Sequence, residues 1–363
     1  MFEIVFTIVL AIYIFLLFSF TLGAKKSFEK IKKKDLPSAT VIVAARNEEN
    51  NILRCMQSLN NLIYPKNKLE IIIVNDNSTD RTGEIINEYI KDKPKFKSVV
   101  PTGQIGNMKG KANAIANAVK ISTGEIILTT DADCSVSETW AETICSYYKE
   151  DVALVCGYTN QKDSGVFSGI QSVDFIYLLT VAGGTINLGK PLSCIGNNMS
   201  YRRSVYDEIG GYENIPFSVT EDFQMLMSMH KLKKYKIIYP IDKGALVTSQ
   251  PCNDVKTLYR QKKRWGVGGL DSDIVGFLVM SSAFFVNLGI VLTPFFYSPK
   301  ALYLAFFKIA FDYFFLFPVH EKMGIKLKFK NFILFELYFI IYVILLPIIL
   351  LFSRKINWKG RTY

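Results

Sequence analysis

Two aspartates, Asp131 and Asp133, lie one residue apart shortly after an apolar run, and their carboxylates are the side chains of this sequence best suited to chemistry. The run "GEIIL" predicts a buried strand, so both carboxylates belong to a strand end. Aspartate often ends a strand because it hydrogen-bonds nearby backbone, and for a lone pair this is the simpler explanation. The functional alternative is that the pair binds one Mg²⁺ or Mn²⁺ ion, which neutralises a diphosphate leaving group.

The region around these aspartates alternates apolar runs with helical patterns, which is typical of a parallel sheet covered by helices. The predicted strands are 39–45, 69–76 and 125–133, and the predicted helices are 48–59, 78–90 and 109–122. The apolar face expected for the first helix consists of Ile52, Leu53, Met56 and Leu59.

Three predicted strands end in polar clusters, "ARNEE", "NDNSTD" and "DAD". Ligands bind at the carboxyl ends of the strands in an open α/β sheet. Turn formation explains one such cluster, but three at one edge predict a site for a polar, phosphorylated ligand. Glu48 and Asp76 are placed to accept hydrogen bonds from a base or ribose, whereas Asp80 also fits a purely local role at a helix start.

A further acidic pair, Glu221 and Asp222, follows Thr220 in "SVTEDFQM". Threonine followed by acids is an ordinary capped helix start. A group-transfer site also needs a base that takes the proton from an attacking hydroxyl, and a carboxylate within hydrogen-bond reach can do so.

The segment "LYRQKKRWGVGG" places Gln261, Arg264 and Trp265 on one helix face, since they are spaced i, i+3 and i+4. They offer an amide, a guanidinium that suits phosphate, and an aromatic platform. Lys262 and Lys263 between them are typical of a lipid-headgroup contact beside a membrane.

The composition predicts a membrane protein, because the 363 residues are 50% hydrophobic with a net charge of +11. Residues 2–23 match the length of a membrane span, and the basic run 25–34 follows them. By the positive-inside rule we expect the N-terminus outside and the following residues in the cytoplasm. No motif for binding nucleic acid is present in the sequence.

Three more apolar stretches, 274–296, 301–319 and 332–352, predict a total of four crossings. Four crossings leave the C-terminal tail outside, although its basic residues favour the inside. Either one stretch is re-entrant, with 301–319 the candidate because it contains Lys308 and Asp312, or the tail lies at the outer headgroups; we expect four crossings. The apolar stretch 164–188 fits an interfacial helix and core packing equally well.

The chain resembles the membrane-integrated inverting glycosyltransferases of family 2, which have a GT-A nucleotide-sugar domain. The resemblance covers residues 39–269 and rests on motifs in a fixed order: "ARNEEN", "VNDNSTD", "GKANAIANA", "DAD", "TED" and "QKKRW". The second cluster departs from the family, which often has two acids and a glycine there, and "AARNE" replaces a common proline-containing entry. The tail "WKGRTY" is similar to the ceramide-glucosyltransferase-like branch.

The resemblance implies a role for each matching residue. Glu48, Asp76, Lys111 and Asp131 would bind the nucleotide sugar, with Asp133 as the direct metal ligand for Mg²⁺ or Mn²⁺. Asp222 would be the catalytic base. The residues expected to line the acceptor and diphosphate side are Glu221, Gln261, Arg264 and Trp265.

The expected fold is therefore an α/β GT-A domain with a mostly parallel sheet, flanked by transmembrane helices. The expected segments are a transmembrane helix 1–24, a basic linker 25–38, the catalytic domain 39–250, an interface segment 251–272, transmembrane helices within 273–353 and a basic tail 354–363.

The function expected from this organisation is sugar transfer from a UDP-sugar to a membrane lipid, on the cytoplasmic side of the cell membrane. The alternatives are a processive polysaccharide synthase and, less favoured, a non-catalytic membrane scaffold or sensor. The six cysteines and two histidines show no ligand spacing, so we expect reduced thiols without a chemical role.

Overall fold

The computed structural model describes residues 1–216, 218, 220–358 and 361–362. The helices, numbered in chain order, are α1 (Phe2–Ala24), α2 (Ile52–Asn60), α3 (Thr82–Ile90), α4 (Gly110–Ile121), α5 (Trp140–Ser146), α6 (Val166–Asn187), α7 (Arg203–Glu208), α8 (Gly211–Asn214), α9 (Glu221–Lys231), α10 (Val255–Gly269), α11 (Ile274–Leu292), α12 (Pro299–Met323) and α13 (Phe329–Phe352). The strands are β1 (Ala39–Ala45), β2 (Leu69–Asn75), β3 (Phe96–Val99), β4 (Ile126–Asp131), β5 (Ser135–Val136), β6 (Val152–Cys156), β7 (Thr159–Gln161), β8 (Met199–Arg202), β9 (Lys236–Ile238), β10 (Val247–Ser249), β11 (Asn357–Trp358) and β12 (Arg361–Thr362).

The chain divides into two compact units. The sheet unit comprises Lys26–Asn160 and Ser193–Gln250, and the helical unit comprises Met1–Lys25, Gln161–Leu192 and Pro251–Tyr363. Residues 161–192, which the sequence assigns to the catalytic domain, therefore cluster with the terminal helices.

The sheet unit is built on a seven-stranded sheet of order β3-β2-β1-β4-β8-β6-β9. Strands β3, β2, β1 and β4 are parallel, β8 runs antiparallel to both of its neighbours, and β9 is parallel to β6. The central strands are buried on both faces, which explains their unbroken Val and Ile runs. The predicted α/β fold with a mostly parallel sheet is confirmed.

Strand register brings the polar clusters to one edge. Ala45 pairs with Asn75, and Ala44 pairs with Asp131, so β1, β2 and β4 end side by side. The predicted strand bounds are correct to within two residues.

Helix α2 buries a face that differs by one residue from the predicted one. Ile52, Cys55, Met56 and Leu59 are buried, whereas Leu53 is exposed. The helix begins at Ile52, and the positions i, i+3, i+4 and i+7 from that residue share one face. The prediction of Leu53 as a core residue was therefore wrong.

The basic linker packs in the sheet unit. Lys30 and Lys33 form ion pairs of 2.6 and 2.8 Å with Asp242 and Glu142. The Ile31 N–H donates to the carbonyl of Ser146 at 2.7 Å. Part of the positive charge in this linker is thus neutralised within the protein.

Five helices of the described residues are long and apolar enough to cross a membrane: α1, α6, α11, α12 and α13. The four predicted spans correspond to α1, α11, α12 and α13. Helix α6, within the predicted stretch 164–188, is mostly buried and packs against α1, α12 and α13. Its close approach to α1 needs glycine, since a Cβ on Gly184 would lie 2.4 Å from the carbonyl oxygen of Phe20.

The helical unit contains a fully buried ionic cluster. Lys308 Nζ lies 2.8 Å from Asp312 Oδ2 and 2.6 Å from Glu336 Oε2. Tyr13 donates to Asp312 Oδ1 at 2.7 Å and is hydrogen-bonded to Tyr177 at 2.6 Å. The polar residues of the 301–319 stretch are thus directed into the bundle, where membrane proteins place ionisable groups.

The predicted C-terminal tail is described only in part. Strands β11 and β12 pair with each other, whereas positions 359, 360 and 363 lie outside the described residues, as does Val219 in the predicted 218–225 segment.

Candidate active site

The ends of β1 and β2 hold the two carboxylates expected to bind a nucleoside. Glu48 is buried; its N–H donates to Thr82 Oγ1 at 2.8 Å, and its Oε2 accepts from Asn51 at 2.8 Å. Asp76 is buried too, and its N–H donates to the carbonyl of Ala45 at 2.8 Å. Hydrogen bonds between the two strand ends thus fix the backbone that carries these acids.

Asp80 has a local role. Its carboxylate accepts from the N–H of Thr82 at 3.0 Å and of Glu49 at 3.2 Å. It therefore stabilises the start of α3, as the simpler reading of its position predicted.

Lys111, near the start of α4, lies among the acidic residues of β4 and α9. Its Nζ lies 2.5 Å from Asp131 Oδ1 and 3.9 Å from Glu221 Oε1. Burial alone lowers the pKa of Lys111, but the carboxylates of Asp131 and Glu221 outweigh burial and raise this pKa above its ordinary value. A permanently charged ammonium in a partly open site is suited to binding a diphosphate.

Asp222 is held by two backbone donors. The Gly196 N–H donates to Oδ2 at 2.7 Å, and the Phe223 N–H donates to Oδ1 at 2.9 Å. A Cβ on Gly196 would lie 3.3 Å from Asp222 Oδ2 and 3.5 Å from Lys111 Nζ, so these groups are close together. Each carboxylate oxygen keeps a second lone pair with which it can accept a substrate proton.

Thr220 makes no side-chain hydrogen bond that caps α9. The interpretation of "TED" as an ordinary helix start capped by the threonine side chain is therefore not supported.

Asp133 follows the end of β4, and its loop is anchored by Arg54. The Nη2 group of Arg54 donates to the carbonyl of Asp133 at 2.6 Å. Asp131 and Asp133 are both partly exposed, and the described residues contain no group of three His, Cys, Asp or Glu side chains that could bind a metal. This donor set fits Mg²⁺ or Mn²⁺, which proteins commonly bind through one or two carboxylates together with substrate phosphates.

Gln261, Arg264 and Trp265 lie on α10, as predicted, in the helical unit. Asp254 caps this helix by accepting from the Thr257 N–H at 2.7 Å. Lys262 is buried in an ion pair with Asp174, so its predicted contact with lipid headgroups is wrong. In the sheet unit the structure thus brings together four of the predicted site residues, Lys111, Asp131, Glu221 and Asp222. The three α10 residues share one helix face by their spacing.

Gly196 and Arg54 were missed by the sequence reasoning. Gly196 lies in the segment "SCIGNN", where its type gives no chemical signal, and only the fold places its N–H against Asp222. Arg202 and Arg203 donate to backbone carbonyls, among them Val152 for Arg202 and Ser122 for Arg203. Their role is to hold the loops around β8.

The cysteines contribute no disulfide, since all six are free. Burial raises the pKa of the Cys55 and Cys134 thiols, and the nearby aspartates Asp131 and Asp133 add to this effect. A raised pKa makes a thiol a poor nucleophile at neutral pH.

The α/β architecture with a mostly parallel sheet and carboxylates at its strand ends is that of a GT-A nucleotide-sugar transferase fold. The family model "Glycosyl transferase family group 2" matches residues 126–353, and "Glycosyl transferase family 2" matches residues 40–210. The chain belongs to the family 2 glycosyltransferases.

Curated relatives with different products match the chain. It is 32% identical over 250 residues to the probable glycosyltransferase YdaM of Bacillus subtilis, covering 65% of this chain and 56% of the relative. It is 30% identical over 256 residues to a beta-monoglucosyldiacylglycerol synthase of Nostoc sp., covering 67% and 51%. A poly-beta-1,6-N-acetyl-D-glucosamine synthase of Staphylococcus epidermidis is 25% identical over 244 residues, covering 66% and 56%. The chain thus spans little more than half the length of these relatives.

A solved structure shares the fold over almost the whole chain. It is a mannosyltransferase of Pyrobaculum calidifontis in complex with GDP-Man and Mn²⁺, with a TM-score of 0.62 and 18% identity, covering 96% of this chain and 97% of that chain.

Proposed function

We propose that this protein is an inverting glycosyltransferase that moves one sugar from a nucleotide-diphosphate sugar, a UDP-sugar, to a hydroxyl of a membrane lipid. The observation that carries the proposal is the anchored carboxylate of Asp222, which lies close to Lys111 in a cluster with Asp131 and Glu221. This arrangement combines a base, a cation for phosphate and carboxylates at the ligand-binding edge of the sheet.

The reaction is a single in-line displacement. Asp222 takes the proton of the acceptor hydroxyl as the hydroxyl oxygen bonds to the anomeric carbon. The bond between that carbon and the diphosphate oxygen breaks, and the nucleoside diphosphate leaves with the electron pair. Attack on the side opposite the leaving group inverts the anomeric configuration.

The remaining residues bind and orient the donor. Glu48 and Asp76 accept hydrogen bonds from the base and ribose, while Lys111 and Arg264 balance the diphosphate charge. Gln261, Trp265 and Glu221 are assigned to the acceptor and diphosphate side.

Asp133, with Asp131 beside it, would hold Mg²⁺ or Mn²⁺. The ion, when bound, supplies a Lewis acid that stabilises charge on the leaving diphosphate.

The helical unit supports a membrane location. Strands β6 and β8 lie before and after α6 in the chain, yet they pair with each other in the seven-stranded sheet. A single crossing by α6 would place these strands on opposite sides of the bilayer. We therefore assign crossings to α1, α11, α12 and α13, with the sheet unit in the cytoplasm.

A lipid acceptor follows from this arrangement, because a catalytic unit tied to a bilayer at both ends suits a hydroxyl at the membrane surface. The relatedness to a glucosyldiacylglycerol synthase supports this choice. A processive polysaccharide synthase is the second candidate, favoured by the relatedness to a polymer synthase. Four crossings are few to enclose a polymer channel.

The deciding experiment is mass spectrometry of products made by the purified protein in detergent. The reaction contains native lipids, a panel of nucleotide sugars and Mn²⁺ or Mg²⁺, beside the Asp222→Asn variant. A lipid heavier by one sugar supports the proposal, whereas a ladder of many sugars means a polymer synthase. Products formed equally by Asp222→Asn would overturn the assignment of the base.

A further inference from the structure

One face of helix α6 makes three contacts with α10, the helix that carries Gln261, Arg264 and Trp265, and with the segment that precedes α10. The Gln171 side chain donates to the carbonyl of Cys252 at 3.1 Å and accepts from its N–H at 2.8 Å. Asp174 forms an ion pair with Lys262. Phe175 stacks on Trp265, with ring centroids 5.6 Å apart and planes inclined by 24°.

The ion pair is buried and enclosed by aromatic rings. The side chains of Lys262 and Asp174 are only 6% and 3% exposed. Lys262 Nζ lies 4.7 Å from the ring centroids of both Trp265 and Tyr342, the latter on α13. Helix α13 also approaches α10 one turn further along the same face, because a Cβ on Gly266 would lie 3.0 Å from the side chain of Leu346.

Stability alone does not account for such a pair. Removing two charges from water costs free energy, and apolar residues of similar size are often as stabilising. In some proteins a buried pair instead enforces one arrangement of the elements that carry it, because each charge must reach its partner.

The anchored residues fix the rotation of α10. Gln261 and Arg264 each precede an anchored residue, Lys262 or Trp265, by one position. Successive side chains are separated by about 100° around a helix axis, so a rotation fixed at Lys262 and Trp265 also fixes Gln261 and Arg264.

We propose that Asp174 and Lys262 are positioning residues that set the orientation of Gln261 and Arg264 through the rotation of α10. This inference rests on the proposed function, since it takes Arg264 as a diphosphate contact. The pair touches neither reacting group and acts through the helix.

The first test is a double-mutant cycle on sugar transfer by the full chain. Single substitutions would leave a buried charge and risk unfolding, so Asp174→Asn and Lys262→Met are combined. We expect this neutral pair to lower kcat at least tenfold, and Arg264→Ala to cause a much smaller further loss in its background than in the parent protein. The proposal is overturned if the loss caused by the neutral pair and the loss caused by Arg264→Ala simply multiply in the combined variant. It is also overturned if the neutral pair keeps full activity.

The matched control is Asp163→Asn with Lys328→Met, which removes a 2.7 Å ion pair beside the start of α6 without touching α10. It should keep the parent activity. If Arg264→Ala itself has no effect, the assigned role of Arg264 fails, and this inference fails with it.

The second test needs no activity, so it separates this inference from the proposed function. The protein is labelled with 5-fluorotryptophan, and the Trp265 resonance is assigned with Trp265→Phe. In the neutral pair we expect the ¹⁹F resonance of Trp265 to shift or broaden while that of Trp140, in the sheet unit, is unchanged. An unchanged Trp265 resonance means that the pair does not orient α10.

Discussion

The Gly196 N–H donates a hydrogen bond to Asp222 Oδ2 at 2.7 Å, so a residue 26 positions earlier in the sequence orients the proposed base. Replacing Asp222 by Asn keeps one oxygen acceptor but turns an amide NH₂ toward one of the two backbone donors. We expect turnover to fall by about 10²–10⁴, the usual contribution of general-base catalysis. Nucleotide affinity, measured by calorimetry, should change little.

The control for this variant is Asp207→Asn, because Asp207 is exposed and lies on α7 outside the cluster. Activity of Asp222→Asn equal to that of the control would remove Asp222 from the mechanism.

Lys111 binds the leaving diphosphate in the proposed mechanism, and Lys111→Met tests this role. The substitution deletes a cation that lies 2.5 Å from Asp131 and keeps a similar length of side chain. Hydrogen bonds to charged groups contribute about 1.5–3 kcal/mol, so we expect nucleoside diphosphate to bind about ten- to a hundredfold more weakly. Lys120→Met on the same helix, which removes only the surface pair with Glu213, should bind normally. Equal affinities for the two variants would contradict the assignment.

Asp133 is the proposed metal ligand, so Asp133→Ala should weaken the binding of Mn²⁺ in the presence of nucleoside diphosphate. Electron paramagnetic resonance of free Mn²⁺ gives this affinity without any turnover. Asp151→Ala, which removes a surface partner of Lys236, is the control. Unchanged Mn²⁺ affinity in Asp133→Ala would place the ion elsewhere.

Local sequence patterns predicted the secondary-structure elements more accurately than they predicted the contacts between elements. An unbroken apolar run predicted β1, and a helical pattern predicted the helix that carries Gln261, Arg264 and Trp265, because both depend on neighbours in the sequence. Lys262 was read as a headgroup contact because its partner Asp174 lies 88 residues earlier, on another helix. The link between Gly196 and Asp222, which are 26 residues apart, is hidden for a similar reason, and a glycine gives no chemical signal.

Glu70 links β2 to its neighbours and predicts how the sheet unit responds to acid. Burial alone raises the pKa of Glu70, but hydrogen bonds from Lys97, Thr40 and Thr123 lower it to about 2. A carboxyl group with a lowered pKa in the folded state stabilises the protein above its unfolded pKa of about 4.3, and this stabilisation is lost as the pH falls toward 2.

Glu70→Gln should therefore lower the Tm of the sheet unit at pH 7 and flatten the fall in Tm between about pH 4.3 and pH 2. Thermal unfolding in detergent across this range measures both effects. Glu88→Gln on the exposed side of α3 is the control. A pH dependence identical to the parent's would show that the Glu70 hydrogen bonds do not contribute.

The stability of the helical unit should depend strongly on one cation, Lys308, because it pairs with the buried carboxylates of Asp312 and Glu336. Lys308→Met would leave two carboxyl groups buried without their ammonium partner. Removing one member of a buried ion pair typically destabilises by about 3–5 kcal/mol, so the folded yield and the Tm in detergent should fall sharply. Lys300→Met at the exposed start of α12 should have no such effect, because Lys300 reaches the surface. If Lys308→Met unfolds at the parent temperature, the two carboxyl groups are stable without the lysine, and the cluster does not hold the bundle together.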